Sequence, residues 1–184
     1  MFSTKLLSLQ NIATSLAADI APFAAEVDKE AAWPSHSMAA LSKAGLMGLQ
    51  VPEQFGGHGQ GLLALAVLTE TLGKACPSSA MCFGMHCVAT AVIAAKATSY
   101  QSNNYLSKIA RGEHITSLGL SESGTGAHFY LSETVVTLVG GHGSSGISTS
   151  LVLSTTPWSR VGAILPVLAR RASSSSPAVG GVLV

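Results

Sequence analysis

All nine acidic residues and all six lysines of this 184-residue chain lie between positions 1 and 133. Beyond Glu133 the only ordinary charges are Arg160, Arg170 and Arg171. A folded domain keeps charge on its surface, so the two stretches obey different rules and are read separately. Residues 134–184 are glycine, serine, threonine and aliphatic side chains ending in RRASSSSPAVGGVLV, with neither clean strand alternation nor a helical stripe. Two explanations compete, a flexible low-complexity tail and an out-of-frame or truncated reading of a longer gene. Serine-rich disordered tails normally keep charge and avoid apolar runs such as VGAILPVLA, which favours the second.

The first 133 residues carry strong helical signals. Leu9, Ile12, Leu16, Ile20, Phe23 and Val27 recur every three or four positions, the stripe of an amphipathic helix that Pro22 should kink. Trp33-Pro34 should end it, because the residue before proline is pushed out of the helical region. Ser35 or Ser37 then caps a second helix through Lys43, with Gly45 as its stop. The run GLQVPEQFGGHGQG at 48–61 predicts an ordered loop or tight turn. Further helices follow at 62–72, 79–97 and 103–111, the last closed at Gly112. From His114 the pattern HITSLGLSE predicts a strand leaving the bundle, and Ser123 to Ala127 a turn.

Composition narrows the function. A net charge of +1 offers no basic stripe for a phosphate backbone, which argues against nucleic-acid binding. Charged residues are 10% of the chain, against about 25% in an average soluble protein, so the surface is unusually neutral. Cys76, Cys82 and Cys87 form no CxxC pair and the count is odd, so a reducing compartment is expected, with Cys82 and Cys87, which lie in an apolar stretch, as inert buried thiols. The six histidines show no HExxH pattern, and no metal is expected. The apolar run from Ser79 to Ala95 is broken by His86 and ends at Lys96, so it reads as a buried helix rather than a membrane span. No signal peptide is read in MFSTKLLSLQ, with an organellar presequence as the alternative.

One segment points to chemistry. LGLSESGTGAHF at 118–129 follows the predicted strand and joins a hydroxyl, a carboxylate and a glycine-spaced turn. Gly124 and Gly126 would let backbone N–H groups approach a planar or phosphorylated ligand, although an ordinary strand-ending turn explains the same residues. Five further landmarks stand in order before it: the first helix followed by Trp33-Pro34, LSKAGLMGLQVPEQFGGHGQG at 41–61, the helix ending in TETLGKA, MHCVATAVI, and YLSKIARGE at 105–113. In order and spacing, residues 12–133 resemble the acyl-CoA dehydrogenase family.

The resemblance implies a mainly α fold. A helical bundle at 1–113 leads into the start of a small β-domain at 114–133, and 134–184 forms an irregular tail. It also implies FAD, held in the family between the β-domain and a carboxy-terminal bundle. Leu118, Leu120 and Ser121 match strand positions along the flavin, where Ser121 keeps the hydroxyl of the usual threonine. Gly126 and Ala127 match a glycine and a serine that touch flavin or the ligand's pyrophosphate, and Ala127 lacks that hydroxyl. Ser123 replaces a usual proline, and His128 stands where aspartate is common. The family's second flavin strand, with an aromatic residue after a GxK element, is not found in 134–184, and Trp158 does not supply it.

No catalytic residue is assigned, because the family's proton-abstracting carboxylate belongs to the carboxy-terminal bundle and Glu122 reads as structural. The expected function is therefore a fragment of an FAD-dependent acyl-CoA dehydrogenase-like oxidoreductase, inactive alone. Its full-length relative would take an acyl-CoA substrate, an electron-accepting flavoprotein and a homo-oligomeric state, in a bacterial-type cytoplasm or alternatively the mitochondrial matrix. The competing reading is a non-catalytic helical interaction module or a defective truncated product. Monooxygenases and oxidases share the fold, so family alone does not fix the reaction. The helix with Met81, Phe83, Met85 and His86 corresponds to one lining the acyl pocket in relatives, but Met and Phe at such spacing are expected in the core and His86 as a structural histidine. Lys108 and Arg111 read as a solvated helix face.

Overall fold

The computed structural model describes residues 2–117 and two short strands at 136–139 and 142–145. The first element, α1 (Thr4–Ile20), starts where the Ser3 hydroxyl accepts from the Leu6 N–H, satisfying one of the free donors of the first turn. Pro22 falls in a 3₁₀ turn at Ala21–Phe23, after which α2 (Ala24–Lys29) resumes, so the kink forms as expected. The helix ends earlier than Trp33-Pro34, because Ala31 takes a left-handed conformation at φ 47 and Ala32 N–H returns to the Val27 carbonyl. The buried stripe is Leu6, Leu9, Ala13, Ile20 and Val27; Ile12 and Phe23, expected inside, are partly exposed.

Helix α3 (Ser35–Lys43) forms as predicted, though no serine side chain caps it. The 46–61 segment is an ordered loop with short 3₁₀ turns at Leu46–Gly48 and Glu53–Phe55. Its backbone folds on itself, His58 N–H to Gly48 O, Gly59 N–H to Val51 O and Gln60 N–H to Leu49 O, each at 2.9 Å. Gly57 is required there, since a Cβ would overlap the Val51 carbonyl. Helices α4 (Leu62–Gly73) and α5 (Pro77–Lys96) pack together and against the earlier helices.

At 20 residues α5 is long and apolar enough to cross a bilayer, so length does not decide its role. Its buried face does: Ala80, Phe83, Cys87, Ala89 and Ile93 join the interior, each large side chain contributing about 1.5–3 kcal/mol. Phe83 is core, as expected of it, whereas Met81 is 68% exposed.

The last helical stretch begins earlier than the pattern suggests. Thr98 and Gln101 form a reciprocal capping box that opens α6 (Ser99–Gln101), which runs through a π turn at Ser102–Leu106 into α7 (Ser107–Ala110). Gly112 closes it at φ 72, where a side chain would also collide with Ser42.

Two expectations change. Of the strand predicted from His114, residues 114–117 form none; only Ile115 sits in an isolated bridge. The amide of Thr116 is engaged by a histidine side chain instead of a ladder. Conversely, in the stretch expected to lack strands, β1 (Val136–Val139) pairs antiparallel with β2 (His142–Ser145), Val139 opposite His142. Gly140-Gly141 lies between them, a dipeptide suited to a two-residue hairpin connection, and its signal is masked in sequence by the surrounding glycine and serine.

Candidate functional site

The flavin-facing positions expected from the sequence, Leu118, Leu120, Ser121, Gly126 and Ala127, lie outside the described residues. The structure does describe what holds the chain just before them, a buried polar cluster built from three separate segments.

His86 lies in the middle of α5 and is fully buried. Its Nε2 is 2.9 Å from the Met47 carbonyl, which can only accept, so Nε2 carries the proton. Nδ1 is then a lone pair, and it accepts the Thr116 N–H at 3.1 Å. The partners therefore fix one neutral tautomer. Burial drives the His86 pKa from 6.5 down to about 4, with the Met47 carbonyl opposing weakly.

Thr116 is engaged twice more. Its hydroxyl donates to the His86 carbonyl at 2.9 Å, and since it has a single proton, Thr90 must be the donor across the 3.0 Å contact between the two hydroxyls. His86 and Thr90 are four residues apart and so share one face of α5. Met47 belongs to the loop entry and Thr116 to the segment leaving the bundle, so one helix face ties both to the core. The amide and the hydroxyl of Thr116 are thus both engaged within the protein.

Nearby groups are less committed. His114 is buried with Nδ1 unpartnered among the described residues, as are Gln50 Oε1 and Ser37 Oγ. Burial, then Lys108, lowers the His114 pKa. Arg111 pairs with Glu113 through Nε at 2.6 Å and Nη2 at 3.1 Å, and both are exposed, so with exposed Lys108 they form the solvated face expected. Lys5 pairs with Glu53, fastening the glycine-rich loop to α1 and holding that carboxyl below its usual range.

All three cysteines are free; burial raises the Cys87 thiol far above its ordinary value, consistent with an inert role, whereas Cys82, expected inside, is only partly buried. Among the described residues no cluster could hold a metal. The sequence reading had His86 as a satisfied structural histidine, which it is, but missed Thr90 and Thr116. The available signal was a polar pair at i, i+4 in the apolar middle of α5.

Comparison with known proteins follows the same boundaries. Residues 6–113 match the family model described as Acyl-CoA dehydrogenase, N-terminal domain. The chain is 29% identical over 109 residues to an acryloyl-CoA reductase (NADH) of Anaerotignum propionicum, covering 59% of this chain and 28% of that one. It is 29% identical over 125 residues to a short-chain specific acyl-CoA dehydrogenase of Clostridium acetobutylicum, covering 67% and 33%. The structure superposes on butyryl-CoA dehydrogenase from Megasphaera elsdenii with a TM-score of 0.72 at 19% identity, covering 83% of this chain and 41% of the other, a likeness of fold. The chain thus spans about a third of the length of these curated relatives. With the family model matching more than half of its residues, the chain belongs to the acyl-CoA dehydrogenase family.

Proposed function

We propose that this chain is the amino-terminal part of an FAD-dependent acyl-CoA dehydrogenase, an oxidoreductase that introduces a double bond between the α and β carbons of an acyl-CoA thioester. The observation that carries the reading is the family match across 6–113, ending just before a segment pinned to the bundle at Thr116. Leu118, Leu120, Ser121, Gly126 and Ala127 would line the flavin, with the Ser121 hydroxyl toward the ring. When bound, FAD would accept the hydride from the substrate's β carbon. The residues of this chain would bind and orient; none matches the family's base, so the chain alone has no dehydrogenase activity. The complete protein would be a homo-oligomer passing electrons to a second flavoprotein, in the cytoplasm or, alternatively, the mitochondrial matrix.

The test is a dye-coupled turnover assay on the pure chain with acyl-CoA esters of several lengths, alongside a titration with FAD. No turnover is expected, flavin retained by the chain favours this reading, and turnover of any ester overturns the assignment of the base to residues outside this chain. A second reading, a helical module that docks on other proteins, draws support from the exposed side chains Leu62, Leu63 and Met81 on α4 and α5. Colourless chain recovered in mixed oligomers with intact relatives would favour it.

A further inference from the structure

We propose that His86 and Thr116 form a positioning latch that fixes where the chain leaves the helical bundle, and so where the flavin-contacting segment begins. The role toward flavin rests on the function proposed above; the latch itself rests on geometry alone.

A segment leaving a bundle needs a fixed origin if residues two to eleven positions later are to meet a rigid ring. Apolar packing fixes such an origin poorly, because it has no preferred register, whereas directional hydrogen bonds do. At Thr116 three of them converge: the amide on His86 Nδ1, the hydroxyl on the His86 carbonyl, and the Thr90 hydroxyl on Thr116 Oγ1. The His86 ring is held against rotation from its other side by the Met47 carbonyl. Turning the ring by half a revolution would put Cδ2–H in place of the Nδ1 acceptor at the Thr116 N–H and take the Nε2 proton off the Met47 carbonyl, so the imidazole has one acceptable orientation and the exit segment one acceptable register. His86 is thus a positioning residue acting through Thr116.

Two near-isosteric substitutions separate this role from simple core filling. In His86→Asn the side-chain oxygen can occupy the Nδ1 position and accept from Thr116 while the Met47 contact is lost. In His86→Gln the amide nitrogen can reach Met47 while the acceptor for Thr116 is lost. Amide hydrogen exchange is read on the full chain at Thr116, with the amides of α5 as internal reference. Protection there is expected to survive in H86N and to fall on the order of tenfold in H86Q, the equivalent of one net hydrogen bond. Equal loss in both variants, or in neither, overturns the latch.

Thr116→Ser against Thr116→Val gives an independent measure should either histidine variant fail to fold. Serine keeps every bond and should keep protection, valine drops the hydroxyl bonds and should lose it, and indistinguishable behaviour again overturns the latch. FAD titration of the same proteins addresses what the latch positions. Weaker binding in H86Q than in H86N is expected, and equal binding overturns the link to flavin. If even the parent chain binds no FAD, the flavin reading fails while the exchange pattern still decides the latch.

Discussion

Helices α1 and α5 are the two longest in the bundle, yet they are held by different means. Every residue that α1 buries is apolar: Leu6, Leu9, Ala13 and Ile20. Helix α5 buries Ser79, His86 and Thr90 alongside Phe83, Cys87 and Ile93, and through His86 it bonds to segments 39 and 30 residues away. An apolar face tolerates small slides, because its stabilisation depends on area and not direction. A buried polar face does not, because each shift leaves a donor or acceptor without a partner. Helix α1 is therefore a cover for the core, and α5 the element from which the loop and the exit segment take their positions.

The largest test of this contrast is in the shared apolar term, where the two helices should differ in degree only. Phe83→Ala should cost about 3–5 kcal/mol by urea unfolding, and Leu9→Ala should fall toward the lower end of about 2–5 kcal/mol. A smaller cost at Phe83 than at Leu9 would remove α5 from the centre of the fold.

Acid distinguishes the helices in kind. With His86 at about 4 in the folded protein and 6.5 as its ordinary value, the unfolded chain takes up a proton that the native state refuses. Stability from this group is complete above pH 6.5 and declines as pH falls toward 4, by about 3 kcal/mol over the window. His114, also lowered by burial, acts in the same direction, and the exposed carboxylates Glu53, Glu70 and Glu113, lowered by Lys5, Lys74 and Arg111, weaken only below their ordinary range. These groups remain in His86→Asn, so the difference between parent and H86N unfolding midpoints at pH 7 and pH 4.5 isolates His86. A slope unchanged by the substitution would mean the imidazole is not buried neutral.

The same contrast explains what could be read from sequence. Periodicity located the helices because apolar spacing is set by backbone geometry, and Gly45, Pro22 and Gly112 marked ends and kinks through conformations other residues resist. It misplaced Ile12 and Phe23 because the true stripe runs through Leu6 and Ala13, and alanine is too small to register as a core signal. It missed the capping box of Thr98 and Gln101, whose meaning depends on the turn they close. Thr116 was hidden for a deeper reason: its partners His86 and Thr90 are 30 and 26 residues away, and no local pattern encodes that meeting. The resemblance named Leu118, Leu120, Ser121, Gly126 and Ala127 as positions that would face a flavin, while the bonds at Thr116 come from tertiary structure.

Among threonines the effect should be smaller but still of opposite sign on the two helices. Thr90→Val keeps the shape and removes the donor to Thr116 Oγ1, costing about 1 kcal/mol, since Thr116 still reaches the His86 carbonyl. Thr14 on α1 is exposed, and its hydroxyl bonds back to the Gln10 carbonyl at 2.9 Å. Truncating it orphans nothing, because water replaces the hydroxyl at that carbonyl, and the helix exchanges a β-branched residue for the best helix former. Thr14→Ala should therefore raise stability, by about 0.5 kcal/mol, seen as a thermal midpoint above that of the parent. Were Thr14→Ala to lose as much as Thr90→Val, α1 would be held by directional bonds as α5 is, and the two helices would no longer have separate tasks.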